Sequence, residues 1–200
     1  MKNIGKYIII INLIILLSIS CDLDDKINGN GNITSTERVA TEFIGIILEG
    51  AGNINVYFSE NYKVIVTTDS NIQEIITIET RNNFLYIDAI RGKGINPTKL
   101  TIDVYLPKLE NINLNGAGNV KIINNGNTLN LNLAISGTGN IEAQNYEVEN
   151  VNTVISGVGD IKTWVKNNLT GNISGVGNVY YKGNPTININ ISGIGNYNSL

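Results

Sequence analysis

The chain has 200 residues, 42% hydrophobic and 16% charged, with a net charge of −3. That is enough apolar material for one globular core. Its 14 Lys and Arg against 17 Asp and Glu leave no basic excess for neutralising phosphates, which excludes nucleic acid as a partner. Histidine is absent and cysteine occurs once, so histidine triads, histidine-zinc sites, internal disulfides and thiolate clusters are excluded as well.

At the N-terminus, Lys2 and Lys6 precede an apolar run from Tyr7 to Leu17 broken only by Asn12. A positive segment ahead of a short apolar stretch predicts a secretory signal peptide over 1–20, shorter than the roughly 20 apolar residues of a spanning helix. The run ends in Leu17-Ser18-Ile19-Ser20-Cys21, which resembles a bacterial lipobox, with Ser18 where the usual Leu stands and Leu17 one place further back. The resemblance implies that Cys21, the sole cysteine, becomes the lipidated first residue of a lipoprotein. Each acyl CH₂ buried in the membrane would contribute about 0.8 kcal/mol to that anchor. Asp22-Leu23-Asp24-Asp25 behind it resembles the surface-export tags of some Gram-negative lipoproteins, and reads equally as part of a solvated tether. The polar stretch Asn28-Gly29-Asn30-Gly31-Asn32 predicts a flexible tether over 21–36, followed by one folded domain over 37–200.

From Glu37 onward β-formers come in short runs, and no long window keeps a helical apolar stripe. Lys63–Thr68, Glu74–Glu79, Phe84–Asp88 and Leu100–Leu106 are predicted strands, separated by turn residues such as Asp69-Ser70-Asn71 and Arg81-Asn82-Asn83. In the last of these, Leu100, Ile102, Val104 and Leu106 share one face, opposite Thr101, Asp103 and Tyr105, so one side is buried and the other is wetter.

The second half repeats. Gly116-Ala-Gly118-Asn119, Gly137-Thr-Gly139-Asn140, Gly157-Val-Gly159-Asp160, Gly175-Val-Gly177-Asn178 and Gly193-Ile-Gly195-Asn196 share one form, their first glycines 21, 20, 18 and 18 residues apart. A sixth copy, Gly50-Ala-Gly52-Asn53, stands 66 residues before Gly116, about three periods, as if the intervening motifs were lost. Alternating runs such as Leu129–Leu133 and Ile187–Ile191 precede the corners. The pattern predicts an all-β fold, a parallel β-helix or β-solenoid of 18–21-residue coils. In it the twelve glycines turn the chain and let coils approach, and Asn side chains stack on their counterparts above and below.

None of the six copies carries the third glycine or the Gly-Lys-Ser/Thr that a phosphate-binding loop requires. Five of their six polar positions are neutral Asn, a poor match for a hard dication, so no metal and no cofactor are expected. Acids are sparse after residue 100: Asp103, Glu110, Glu142, Glu147, Glu149 and Asp160. Glu147 and Glu149 alternate with Tyr146 and Val148 and so share a solvent face, and no catalytic residue is assigned. Tyr146, Trp164, Tyr180 and Tyr181 are candidate aromatic contacts for a glycan or protein ligand, or else covers for a core edge.

Leu106-Pro107-Lys108-Leu109, then Leu114-Asn-Gly-Ala-Gly-Asn119, the successive Ser-Gly-x-Gly-Asn/Asp units and Val179-Tyr-Tyr-Lys-Gly-Asn-Pro185 together resemble the putative auto-transporter adhesin, head GIN domain family. The resemblance spans about residues 39–198, with Asn115 in place of the usual Ser and Asp160 in place of Asn. It implies a right-handed β-helix, secretion, a lipoprotein signal and a cell-surface role with no catalytic residues. Two functions follow as expectations: an adhesion or ligand-binding module exposed on the outer membrane, or a structural envelope lipoprotein that self-associates through its coil ends. A polysaccharide-active enzyme is a distant third, and the oligomeric state is left open.

Overall fold

The computed structural model describes residues 26–90 and 94–200. Among them there is no helix. The first half holds β1 (Ile27–Asn28), β2 (Ile33–Arg38), β3 (Gly45–Leu48), β4 (Asn53–Phe58), β5 (Lys63–Asp69), β6 (Ile76–Arg81), β7 (Phe84–Ala89), β8 (Ile95–Asn96) and β9 (Leu100–Leu106). The second half holds β10 (Asn111–Leu114), β11 (Val120–Ile122), β12 (Gly126–Ile135), β13 (Ile141–Ile155), β14 (Ile161–Ile173), β15 (Val179–Lys182), β16 (Thr186–Ile191) and β17 (Tyr197–Ser199).

The recurring unit is a rung: two strand segments joined by a Gly-x-Gly corner. Each rung pairs in parallel with the next, so equivalent residues line up in columns. On one side Ile87, Leu48, Leu114, Ile135, Ile155, Ile173 and Ile191 are successive partners. Across the corner the column runs Ile102, Ile54, Val120, Ile141, Ile161, Val179 and Tyr197. Alternation therefore sends one aliphatic per pleat into a shared interior, where most of these side chains are fully buried. A single rung cannot bury its own apolar face, and the stack does it collectively.

Strand order is mixed in the first half, which departs from the uniform parallel stack expected over 37–200. β2 pairs antiparallel with β5, β5 antiparallel with β9, and β6 antiparallel with β7. The expected strand over Glu74–Glu79 also starts later, at Ile76, because 70–75 is taken up by turns.

The spacing of the first two motifs is corrected too. Ala51 bridges Ala117 directly, and β3 and β4 lie beside β10 and β11, so the 66 residues between the motifs separate adjacent rungs rather than three lost periods. The intervening chain builds β7 and β9 against the opposite edges of β3 and β4. It thereby adds a rung outside the earlier one and flanks that rung with β5 and β6, and β2, from earlier in the chain, pairs with β5.

The described part of the expected tether is held against the body. β1 pairs with β8 and β2 with β5, while the Gly31 N–H donates to Asp69 Oδ1 at 2.7 Å and the Asn30 N–H to Asn71 Oδ1 at 3.1 Å. A Gly/Asn composition favours flexibility only where nothing satisfies its backbone, and here a buried carboxylate and a strand edge do so. The signal peptide expected over 1–20 and Cys21 lie outside the described residues.

Candidate functional site

The corners fix where every outward side chain stands. At Gly157-Val-Gly-Asp160 both glycines are required by close backbone approach: a Cβ on Gly157 would lie 2.0 Å from the Gly137 carbonyl oxygen of the preceding rung, and one on Gly159 would lie 1.6 Å from the Gly139 oxygen. Gly159 carries a second requirement, φ +149°, a conformation side chains resist. Gly116, Gly137, Gly175 and Gly193 repeat the first case, Gly118, Gly139 and Gly177 the second, and Gly52 has the dihedral without the backbone clash. Gly195 is also crowded, 1.8 Å from the Gly177 oxygen, whereas a Cβ on Gly50 would meet nothing nearer than Asp88 Oδ1 at 3.1 Å.

Beside each corner runs an amide ladder. Asn119 donates its backbone N–H and its Nδ2 to Asn53 Oδ1 at 3.2 and 3.0 Å, and Asn140 does the same to Asn119 at 3.1 and 3.1 Å. Asp160 has no amide to donate, so only its N–H reaches Asn140 Oδ1, at 2.9 Å. Its carboxylate nevertheless continues the ladder by accepting from the Asn178 N–H and Nδ2 at 2.7 and 3.0 Å. Outward side chains are ordered by the same register: Lys121, Glu142, Lys162 and Tyr180 form one row across four strands. Lys121 and Lys162 sit 3.6 and 3.3 Å from the Glu142 carboxylate.

Of the four aromatic candidates, two face outward on this wall. Tyr180 lies opposite Lys162, and Trp164 opposite Lys182, whose ammonium sits 3.7 Å above the indole. Tyr181 pairs with buried Thr163 and packs against the core, so it is no wall residue. Tyr146 is 1% exposed, stacks on Phe58 at 4.4 Å, and donates its hydroxyl to the Leu109 carbonyl at 3.1 Å. Burial pushes its phenol above the ordinary value, and its role is to fill the interior.

Tyr146 turns inward because β13 bulges there. Pairing with β14 shifts between Ala143 and Glu147 and again between Val148 and Asn150, which absorbs the change from 20- to 18-residue rungs. A bulge re-aims side chains and breaks the flatness of a wall, and two grooves of about 410 Å³ each open beside this one. One is lined by Leu129, Glu149 and Lys108, the other by Trp164 and Asn145, and both include Asn127 and Glu147.

Glu147 and Glu149 share the solvent face, as alternation predicts, and one lysine holds both. Lys166 Nζ is 3.3 Å from Glu147 Oε1 and 3.2 Å from Glu149 Oε1. Their carboxylates, Glu149 first, keep its ammonium above the ordinary lysine value. Sequence reasoning missed Lys166, Asn127, Asn145 and Leu129. The one available signal was the drop from 20 to 18 between corners, which marks the step without naming the residues on it.

The fold and the wall define a stacked all-β body with an ordered, groove-bearing outer surface. Its sequence matches the family described as putative auto-transporter adhesin, head GIN domain, over residues 42–127 and 121–185, and the chain belongs to that family. Among solved structures it is similar to a putative adhesin from Bacteroides fragilis, at 24% identity and a TM-score of 0.60, covering 87% of this chain and 100% of that one. It is also similar to a putative lipid binding protein from Parabacteroides distasonis, at 17% identity and a TM-score of 0.55, covering 88% and 100%. At these identities the likeness speaks for the fold alone. No curated protein matches the sequence.

Proposed function

We propose that this chain is a non-catalytic adhesion or ligand-binding module of the cell envelope. In this reading it is anchored by lipid on Cys21, exposed at the outer-membrane surface, and wound as a right-handed parallel β-helix from the β7–β9 rung to β16–β17. The observation that carries it is the outer wall, where register-locked rows of Lys, Glu, Asn, Tyr and Trp run across successive parallel strands and two grooves interrupt them. The winding is supported by corners recurring every 18–21 residues with parallel bridges at each, and its hand by the rule for parallel crossovers. Membership of an adhesin family supports the surface role. The absence of turnover is supported by Glu147 and Glu149 sharing one lysine, because glycoside hydrolysis needs two carboxyl groups acting separately as acid and as base or nucleophile.

Labelling of intact cells with a membrane-impermeant reagent tests the reading. The native protein should be labelled, and its deletion should reduce adherence of the cells to glycan- or protein-coated surfaces. Cys21→Ala should leave the chain unprocessed or soluble, and unchanged processing with membrane retention would refute the anchor. A structural, self-associating envelope role is the second reading, favoured by β16 and β17. Each pairs with a single strand, and no charged residue lies between 183 and 200, a weakly guarded edge. An envelope defect on deletion, with adherence intact, would select it.

A further inference from the structure

We infer that the groove beside the β13 bulge binds a neutral saccharide chain. The inference rests on the adhesion reading and names the ligand class for it. Asn127 and Glu147 belong to both basins, so the depression is continuous from exposed Leu129 to Trp164. Each basin, at about 410 Å³, falls in the size range of small-ligand sites.

The charge pattern sets the class of ligand. Three lysines on or beside the groove are already engaged: Lys108 with Glu110, Lys166 with Glu147 and Glu149, and Lys182 over the Trp164 ring. An anionic polymer finds no spare cation there, and a cationic partner finds both Glu147 and Glu149 already paired with Lys166, Glu149 at its second oxygen with Asn167 Nδ2 as well.

What remains available suits hydroxyl groups. The Asn127 amide makes no hydrogen bond among the described residues, so it offers a donor and an acceptor from one rigid plane. Lys166 holds Glu147 by Oε1, which leaves Oε2 to accept. Asn145 spends its Nδ2 on the carbonyls of Ile122 and Ile123 at 3.2 and 3.1 Å, and its carbonyl oxygen faces no such demand. Vicinal hydroxyls of a sugar ring donate and accept side by side, and the ring's C–H face has apolar surface to cover on Trp164 and Leu129. A folded protein partner would seek a broad apolar centre, whereas Leu129 is the one large exposed aliphatic lining these basins.

The full-length protein in detergent is tested on immobilised mannan, galactan and β-glucan, with polygalacturonate and dextran sulfate as anionic comparators. The expected result is retention by at least one neutral polymer, unchanged in about 0.5 M NaCl because no net charge is engaged. Asn127→Ala, at an exposed position with no packing role, and Trp164→Ala should each weaken retention by about tenfold or more, whereas Arg81→Ala on the antiparallel cap should not. Retention only by the anionic polymers, lost in salt, overturns the inference, as does neutral binding indifferent to both groove variants. If no polymer is retained while expressing cells still adhere to protein-coated surfaces, the saccharide is wrong and the adhesion reading stands. If those cells adhere to nothing, the adhesion reading falls with it.

Discussion

Gly157 and Gly159 differ in what an added Cβ must overcome. Substituting Val at 157 drives a side chain into the Gly137 carbonyl, which belongs to the backbone and cannot swing away. Substituting Ala at 159 drives a Cβ to 1.6 Å from the Gly139 carbonyl oxygen and forces φ +149° on it as well. Each is expected to cost about 1–3 kcal/mol in urea unfolding, with no smaller loss at 159, where dihedral strain adds to the opening of the rung spacing. The ladder gives a gentler case. Asn140→Ala removes an acceptor for the Asp160 N–H and a donor to Asn119, and at an exposed edge should cost roughly 1 kcal/mol. That glycines stand at the corners and amides in a stack was legible from the repeat. That both glycines are needed for close approach and the second for its dihedral besides was not, since the spacing between rungs appears in no single repeat.

Elements near the N-terminus show where local composition misleads. Residues 28–32 have the make-up of a linker, yet Asp69, 38 residues from Gly31, holds them in place. Burial alone would raise the Asp69 carboxyl, but the Gly31 N–H, the Thr98 hydroxyl and the N–H groups of Thr98 and Lys99 outweigh it and keep the group below its ordinary value. A carboxylate depressed in the folded state contributes stability that is fully present above its unfolded value and is lost as pH falls through the folded one. Pepsin cleavage within 27–38 should therefore stay slow down to the ordinary aspartate range and rise only below it. Asp69→Ala should make that segment cleavable across the whole range, and equal protection of the variant would disconnect Asp69 from the strap. The Gly50–Gly116 interval failed to read correctly for a related reason. Periodicity counts residues along the chain, whereas β7 and β9 are inserted on the far side of the rung that precedes them. Pairings of that kind leave no trace in a spacing. Strand identities, by contrast, were legible, because alternation in Leu100–Leu106 and Lys63–Thr68 follows directly from one-sided burial.

Across the whole molecule the stack is unequal at its two ends. The β7–β9 rung is flanked by antiparallel β5 and β6 and, beyond β5, by β2, and its inward residues Leu85, Ile87, Ile102 and Val104 are buried to within 1%. At the other end the Thr186–Ile191 strand alternates exposed and half-buried positions, and Tyr197–Ser199 is exposed throughout. Neighbour-only contacts make the stability of such an array nearly a sum of rung and interface contributions, so a rung with one neighbour opens first. Amide exchange is thus expected to be slowest in β3, β10 and the other central strands, and fastest in β16 and β17, with β14 and β15, next to that end, intermediate. A single uniform rate for all slow amides would mean that the stack opens only as one unit. The expected gradient also bears on the wall: the bulge, Trp164 and the groove sit between the protected centre and the labile end. Asn196→Ala, which removes the acceptor of the Tyr197 N–H at 2.9 Å while leaving the Asn196 N–H donation to Asn178 Oδ1 intact, should speed exchange in β17 while leaving β3 and β10 unchanged. If Pro or charge substitutions in β16 sped exchange as far as β10, the nearest-neighbour account of this fold would fail.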